Sequence, residues 1–479
     1  MNDILPIDLS GFVTAPWGKS LLIKGNPGAG KTTLALEIIE KILSPENTVY
    51  LSTRVGDKAI YSQFPWVKEL DEMSMRKNTG KKFLIILDPR APARENEKNS
   101  REKRVLRPSG KEGTDGIVTD NLDSLGMDYP DLQRALETLD RASGRASALI
   151  IDSIEGICEH AEVEVSKFVS ALQKDLVESS QITLILVSEY TDLDTISPID
   201  YLVDGIVSVK NTIRDSRVTR TLTIQKMRHR NIDFPEYFYS LDKGRFSYIP
   251  FLPSIQDIFD RNTTFKDNLF DGFDITGPRI RKIAFNCTNS GTDIVNLFLP
   301  IYISKAAKEG SGIFYVGNPE TDPDGMFNYF KGATGIDELE SKMRVVDFNA
   351  GTFSKKHIVS LPKGKDERMR EYLKSMMDLS DSFDGVLSII FLRGFELLEG
   401  STATNESISK IASRMSGTKN RIVFASCDPS VTGGPHRIFD ATVNMEKRAN
   451  TLFLYGFEPF TPYYGLCIKD GVAVLKMIS

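Results

Sequence analysis

The sequence predicts an α/β fold: two tandem domains, each a mostly parallel sheet flanked by helices, the second a degenerate copy of the first. Three observations carry this. A phosphate-binding loop follows the first apolar strand. Further short apolar strands alternate with helical stretches through the first half. The second half repeats that order with its chemical residues replaced. At 479 residues the chain is long enough for two large domains. Its 41% hydrophobic and 26% charged residues belong to a folded globular protein, not a disordered or fibrous one.

The first strand, Leu21–Lys24, runs into Gly25-Asn26-Pro27-Gly28-Ala29-Gly30-Lys31-Thr32. This is the pattern Gly-x-x-x-x-Gly-Lys-[Ser/Thr]. Its glycines let backbone N–H groups curl round phosphate oxygens at dihedrals other residues resist. The next helix, Lys31–Leu43, aims its positive end at the same anion. Leu34, Ile38 and Ile42 recur at helical spacing, and Ser44-Pro45 stops the helix. The nucleotide-binding set is therefore Gly25, Asn26, Pro27, Gly28, Ala29, Gly30, Lys31, Thr32 and Thr33. Lys31 neutralises the terminal phosphates of ATP, and Thr32 ligates Mg²⁺. A second Mg²⁺ residue is expected at the end of another buried strand, and Ala148–Ile151 ends in Asp152. With Thr48–Ser52, Phe83–Leu87 and Ile182–Val187, it alternates with helical stretches at Pro130–Ser143 and Val163–Ser179, the pattern of a mostly parallel sheet.

Charge and composition narrow the function classes. Sixty basic residues face 65 acidic ones, a net charge of −5, whereas a protein built to coat nucleic acid is basic overall. No apolar run approaches the roughly 20 residues of a membrane span. Asp3 and Asp8 stand where a signal peptide carries basic charge. Cys158, Cys287, Cys427 and Cys467 form no Cys-x-x-Cys pair. The expectation is a reduced cytoplasmic protein.

The order of motifs resembles a family. The phosphate loop, the strand ending at Asp152, Leu186-Val187-Ser188-Glu189, and a ribbon carrying Lys226-Met227-Arg228 together resemble the RecA-type ATPases of the KaiC branch. The resemblance covers about residues 10–250 and implies RecA-like domains. In ring-shaped relatives a Lys-x-Arg pair reaches the γ-phosphate bound by the neighbouring subunit, which implies that role for Lys226 and Arg228 and makes a homo-oligomer an expected partner. The segment Val49–Val55, followed by Phe64-Pro65-Trp66, resembles more closely the archaeal gas-vesicle regulators of the GvpD type. That resemblance implies repression through contact with a protein partner, a transcription activator. One departure concerns hydrolysis. Where the KaiC pattern has two glutamates, one of which activates water, this chain has Thr53-Arg54-Val55. Loss of a base costs about 10²–10⁴-fold in rate, so a weak ATPase is expected. Glu155 is either a substitute base or an exposed loop acid, and Glu189 occupies the position of a family glutamate suited to sensing. The catalytic set is Lys31, Glu155, Glu189, Lys226 and Arg228. The alternatives are a DNA-dependent ATPase of the RecA type and a structural ring component stabilised by nucleotide.

The first domain is expected over residues 1–250 and the second over 266–479, with the break near Tyr248–Phe265. Matching Leu22–Leu34 to Ile283–Val295 puts Asn286 at Gly25, Thr292 at Lys31 and Asp293 at Thr32, with the loop length preserved. Matching Thr221–Ile224 to Thr451–Leu454 puts Gly456 at Lys226 and Glu458 at Arg228. The strand Leu387–Leu392 ends in Leu392-Arg393 where an aspartate is needed. No ATP is expected there. A basic insertion is expected at about 89–128. Within it Arg90–Lys111 holds eight basic residues against three acidic, a surplus of five. It reads as a solvated loop, a site for an acidic partner protein, or a phosphate-backbone contact. DNA contact is the least favoured, since no Phe, Tyr or Trp is interleaved.

Overall fold

The computed structural model describes residues 5–43, 45–77, 84–86, 117–125, 130–140, 147–189, 196–253, 263–266, 268–273, 280–288, 291–349, 355–400, 420–428 and 438–479, with isolated positions between them. The basic stretch Arg90–Lys111 lies outside the described residues. The chain divides into two compact units, Met1–Tyr248 with Ser479, and Ile249–Ile478. Among the described residues no helix is long and apolar enough to cross a membrane.

The first unit holds β1 (Lys19–Gly25), β2 (Thr48–Ser52), β3 (Leu84–Ile86), β4 (Ala148–Asp152), β5 (Thr183–Val187), β6 (Gly205–Arg214), β7 (Arg217–Met227), β8 (Glu236–Ser240) and β9 (Ser247–Tyr248). Their order across one sheet is β3-β2-β4-β5-β1-β6-β7-β8-β9. The strands from β3 to β6 run parallel, and β6 to β9 run antiparallel. Helices on the faces leave β1, β2 and β5 buried along their whole length, as continuous apolar strands of a parallel sheet require. The core on one face joins Leu22, Leu149, Ile151 and Leu186 to Phe168, Leu172 and Leu176. The helix expected over 163–179 is an α-helix at Val165–Leu172 continued by a π-helical stretch at Gln173–Ser179.

The second unit holds β10 (Thr264–Phe265), β11 (Lys282–Thr288), β12 (Gly312–Val316), β13 (Met343–Asp347), β14 (Ile358–Ser360), β15 (Val386–Phe391), β16 (Arg421–Ser426), β17 (Ala441–Arg448), β18 (Thr451–Glu458), β19 (Tyr464–Lys469) and β20 (Val472–Met477). Their order is β10-β20-β19-β18-β17-β11-β16-β15-β12-β13-β14. Read from the other edge, β13-β12-β15-β16-β11-β17-β18-β19 repeats β3-β2-β4-β5-β1-β6-β7-β8 strand for strand. The repeat extends to detail. Asp204 accepts from the Ser20 N–H at the start of β1, and Asp440 accepts from the Arg281 and Lys282 N–H groups at the start of β11. Both ribbons carry a bulge at one place, between Ile206 and Val207 and between Thr442 and Val443.

The registers correct three sequence matches. Leu21 pairs with Gly205, and Ile283 pairs with Ala441. The counterpart of Ile283 is thus Leu21, not Leu22, and the loop after β11 is one residue shorter than the first. Asp152 pairs with Val187, which pairs with Ile23, and Phe391 pairs with Ala425, which pairs with Phe285. The residue in the place of Asp152 is therefore Phe391, since β15 stops before Leu392-Arg393. Lys226 pairs with Ile206 and Glu458 with Thr442, so a glutamate, not Gly456, faces the position of Lys226. Arg228 then corresponds to Phe460.

Candidate nucleotide site

The loop after β1 has the shape its glycines impose. Gly30 has φ +93°, a dihedral that favours glycine, and a Cβ there would crowd the Leu241 side chain at 2.8 Å. At Gly25 a Cβ would lie 2.3 Å from the Val209 carbonyl oxygen of β6. The helix Lys31–Lys41 starts directly at Gly30, placing its unpaired N–H groups beside the loop. Two residues that sequence reading missed brace the loop. Tyr239 donates its hydroxyl to the Ala29 carbonyl, and Arg220 Nη1 donates to the Gly28 carbonyl at 3.0 Å. They come from β8 and β7, 210 and 192 residues downstream of their partners, and nothing local marks them.

Lys31 Nζ donates to the carbonyls of Gly25 at 2.7 Å and Asn26 at 3.4 Å. Burial lowers its pKa, against the raising effect of Asp152, Glu189 and Glu155. Thr32 Oγ1 donates to Asp152 Oδ2 at 2.6 Å, and Tyr50 donates to the same oxygen at 2.6 Å. Burial raises the Asp152 carboxyl above the usual range, opposed by those two bonds and by Lys31. These groups line a cavity of about 490 Å³ with Arg54, Phe64 and Glu189. A hydroxyl and a carboxylate side by side are hard oxygen donors that suit Mg²⁺, and Thr32 and Asp152 are the residues that would hold it.

The remaining expected residues fall in two places. Glu155 accepts from the Ser188 hydroxyl and, through Oε2, from the Glu189 N–H at 3.0 Å. It fixes the end of β5 and is not among the described residues lining the cavity, whereas Glu189 is. Lys226 and Arg228 lie where β7 runs past the start of β1, at the opposite end of the sheet from the chain's own loop. Lys226 Nζ donates to the Asp200 and Val203 carbonyls at 2.7 and 2.6 Å. Arg228 donates to Asp204 Oδ1 at 3.1 Å and to the Tyr201 carbonyl at 2.9 Å.

The corresponding loop of the second unit is built differently. Thr292–Leu297 is a 3₁₀ helix, and the α-helix starts only at Leu299. Thr292 and Asp293 both accept from Asn318 Nδ2, at 2.9 and 2.7 Å. The register makes Tyr315 the counterpart of Tyr50. With Phe391 in place of the aspartate, its hydroxyl donates to Asn296 at 2.9 Å and its ring packs edge-on against Phe391 at 5.7 Å.

A glycine-shaped loop, a half-buried lysine, a Thr–Asp pair and a mostly parallel sheet define the first unit as a phosphate-loop nucleotide-binding domain of mixed α/β architecture. Residues 11–249 match the model of the family described as ATPase: KaiC, and the first unit belongs to that KaiC ATPase family. The chain is 25% identical over 253 residues to Protein GvpD2 of Halobacterium salinarum, covering 51% of this chain and 44% of that protein. It is 26% identical to Protein GvpD1 of the same organism, covering 51% and 41%, and 25% identical to the circadian clock protein KaiC3 of a Synechocystis strain, covering 49% and 42%. The match thus spans less than half the length of each of these relatives. A KaiC-like protein of Pyrococcus horikoshii aligns at a TM-score of 0.35 and 18% identity, over 49% of this chain and 91% of that one, a likeness too loose to bear on mechanism.

Proposed function

We propose that the chain is an ATP-binding regulator that hydrolyses ATP slowly and acts by contact with a protein partner in the cytoplasm. The observation that carries this is the pairing of a complete phosphate site with Thr53-Arg54-Val55, of which Arg54 and Val55 line the cavity. Lys31, Thr32 and Asp152 are set to bind ATP and Mg²⁺, while Arg54 stands in the cavity lining where the family has a glutamate, and the one further carboxylate among the described lining residues, Glu189, is paired with that arginine. Glu155 is engaged by Ser188 and the Glu189 N–H, which favours a positioning role over that of base. Lys226 and Arg228, beside the exposed Tyr201, form a face that a second copy uses when ATP is bound. The likeness to GvpD2 and GvpD1 supports regulation of gas-vesicle genes, with a transcription activator as the partner.

ATP turnover with and without DNA, set beside equilibrium ATP binding, tests the reading. The expected result is firm Mg²⁺-dependent binding with a rate far below the ~10 s⁻¹ of a typical enzyme and no response to DNA. A fast or DNA-stimulated rate would replace this reading with that of a DNA-dependent ATPase.

A further inference from the structure

We propose that Arg54 reads the third phosphate, so that the site discriminates ATP from ADP by a cation from its own chain at the place where a base would stand. The inference rests on the nucleotide-site reading above and goes beyond it by assigning the specificity.

The backbone before Arg54 is fixed. Ser52 at the end of β2 pairs with Asp152. The Thr53 N–H donates to the Asp152 carbonyl at 2.8 Å, and the Ser153 N–H donates to Thr53 Oγ1 at 2.8 Å. Thr53 is buried, and its hydroxyl also donates to the Ser153 carbonyl at 3.0 Å. The side chain that follows has a seat. Gly156 presents no Cβ, and one built there would lie 2.4 Å from Thr53 Oγ1 and 3.3 Å from Arg54 Cγ. The arginine stem thus passes over a glycine on the helix that follows Asp152. A larger residue would collide with Thr53 Oγ1 and crowd the arginine stem.

The guanidinium then has two kinds of neighbour. It pairs with Glu189 Oε2 at 3.1 Å and Glu159 Oε2 at 3.2 Å. Both carboxylates are exposed, at 40% and 71%, and Arg54 itself is 43% exposed. Ion pairs this open are weak and exchangeable. Arg54 and Glu189 also line the cavity that holds Lys31, Thr32 and Asp152. A guanidinium exchanging an exposed carboxylate for a phosphate gains a charge-assisted, fork-shaped partner. The loop and Lys31 serve phosphates that ADP also carries in part, whereas the mouth of the cavity concerns the added one. Glu189, held at its N–H by Glu155, is the carboxylate Arg54 leaves when that phosphate arrives.

Binding of ADP and of a β,γ-imido ATP analogue to the full chain, by titration calorimetry in Mg²⁺, tests the assignment on the parent, Arg54→Gln and Arg54→Lys. The expected result in Arg54→Gln is an analogue affinity reduced about 10-fold, the size of one partly exposed charge-assisted bond, with ADP affinity within about 2-fold of the parent. Arg54→Lys should recover part of the loss. Equal losses for both nucleotides would mark a structural role and overturn the proposal, as would no change for either. A parent chain that binds neither nucleotide would instead overturn the nucleotide-site reading, and this assignment with it.

Discussion

Where β4 ends in Asp152, β15 ends in Phe391, and the tyrosine facing each has kept its place while changing its bond. Tyr50 donates to a carboxylate beside Thr32, and Tyr315 donates to Asn296 and packs on a phenyl ring. The strand order, the bulge and the aspartate clasp at the central strand are common to both units. The difference teaches that the architecture does not depend on its ligand chemistry. A buried carboxylate is a burden that a binding site tolerates, and an apolar residue serves the core better where no cation is bound. The helix start follows the same division. It abuts the loop in the first unit, and in the second a 3₁₀ segment intervenes, so the N–H groups no longer converge on an anion.

The comparison breaks most readily at the lysine. Lys31→Ala should weaken ATP binding by at least about 100-fold, since charge-assisted bonds are worth about 1.5–3 kcal/mol each and Lys31 serves two phosphates. Calorimetry should also find one nucleotide per parent chain. Full affinity in the variant would remove the first site, and two nucleotides per chain would show the second to be active. Next in size is Phe391→Asp, which restores the missing carboxylate at a fully buried position. An unpaired buried charge costs about 3–5 kcal/mol. The unfolding free energy of the second unit, read from urea melts, should fall by that measure, and the nucleotide count should stay at one. A stable variant that bound a second nucleotide would show that the aspartate alone separates the units.

The smallest effect sharpens the first unit. Glu37, on the helix that starts at the loop, is buried and paired with Arg245 at 2.7 Å, while Arg245 stacks on Trp66 at 4.0 Å. Burial outweighs the arginine and pushes the Glu37 carboxyl up to about 7. A pKa raised on folding means that the folded state holds the proton more tightly. The favourable contribution is full below about 4.5 and is lost as pH rises through about 7. Glu37→Gln should therefore lose less stability than the parent between pH 5 and pH 8, read as the shift in urea midpoint. An identical shift in both would show that the carboxylate is fully compensated by Arg245.

Gly25–Thr32 and Asp152 were legible because their chemistry is local: a fixed spacing, then a strand end. The slips in the second unit have a physical cause. β1, β2 and β5 are buried on both faces, and such strands carry no in–out alternation to fix register, so a one-residue slip between Leu21 and Leu22 went unseen. In the ribbon, a two-residue slip leaves every side chain on its own face. Thr451–Leu454 therefore imitates Thr221–Ile224 although Glu458, not Gly456, lies at the position of Lys226. Arg220, Tyr239 and the seat of Arg54 on Gly156 are contacts between distant segments. No short window of sequence contains them.

The lysine folded onto the Gly25 and Asn26 carbonyls has a consequence for how such a protein is used in a cell. A loop that supplies its own partner for its cation keeps its shape between ligands. Under the function proposed above, entering phosphates displace bonds already made, so that binding exchanges one set of partners for another. A site of that kind, under the function proposed above, serves as a gauge of nucleotide.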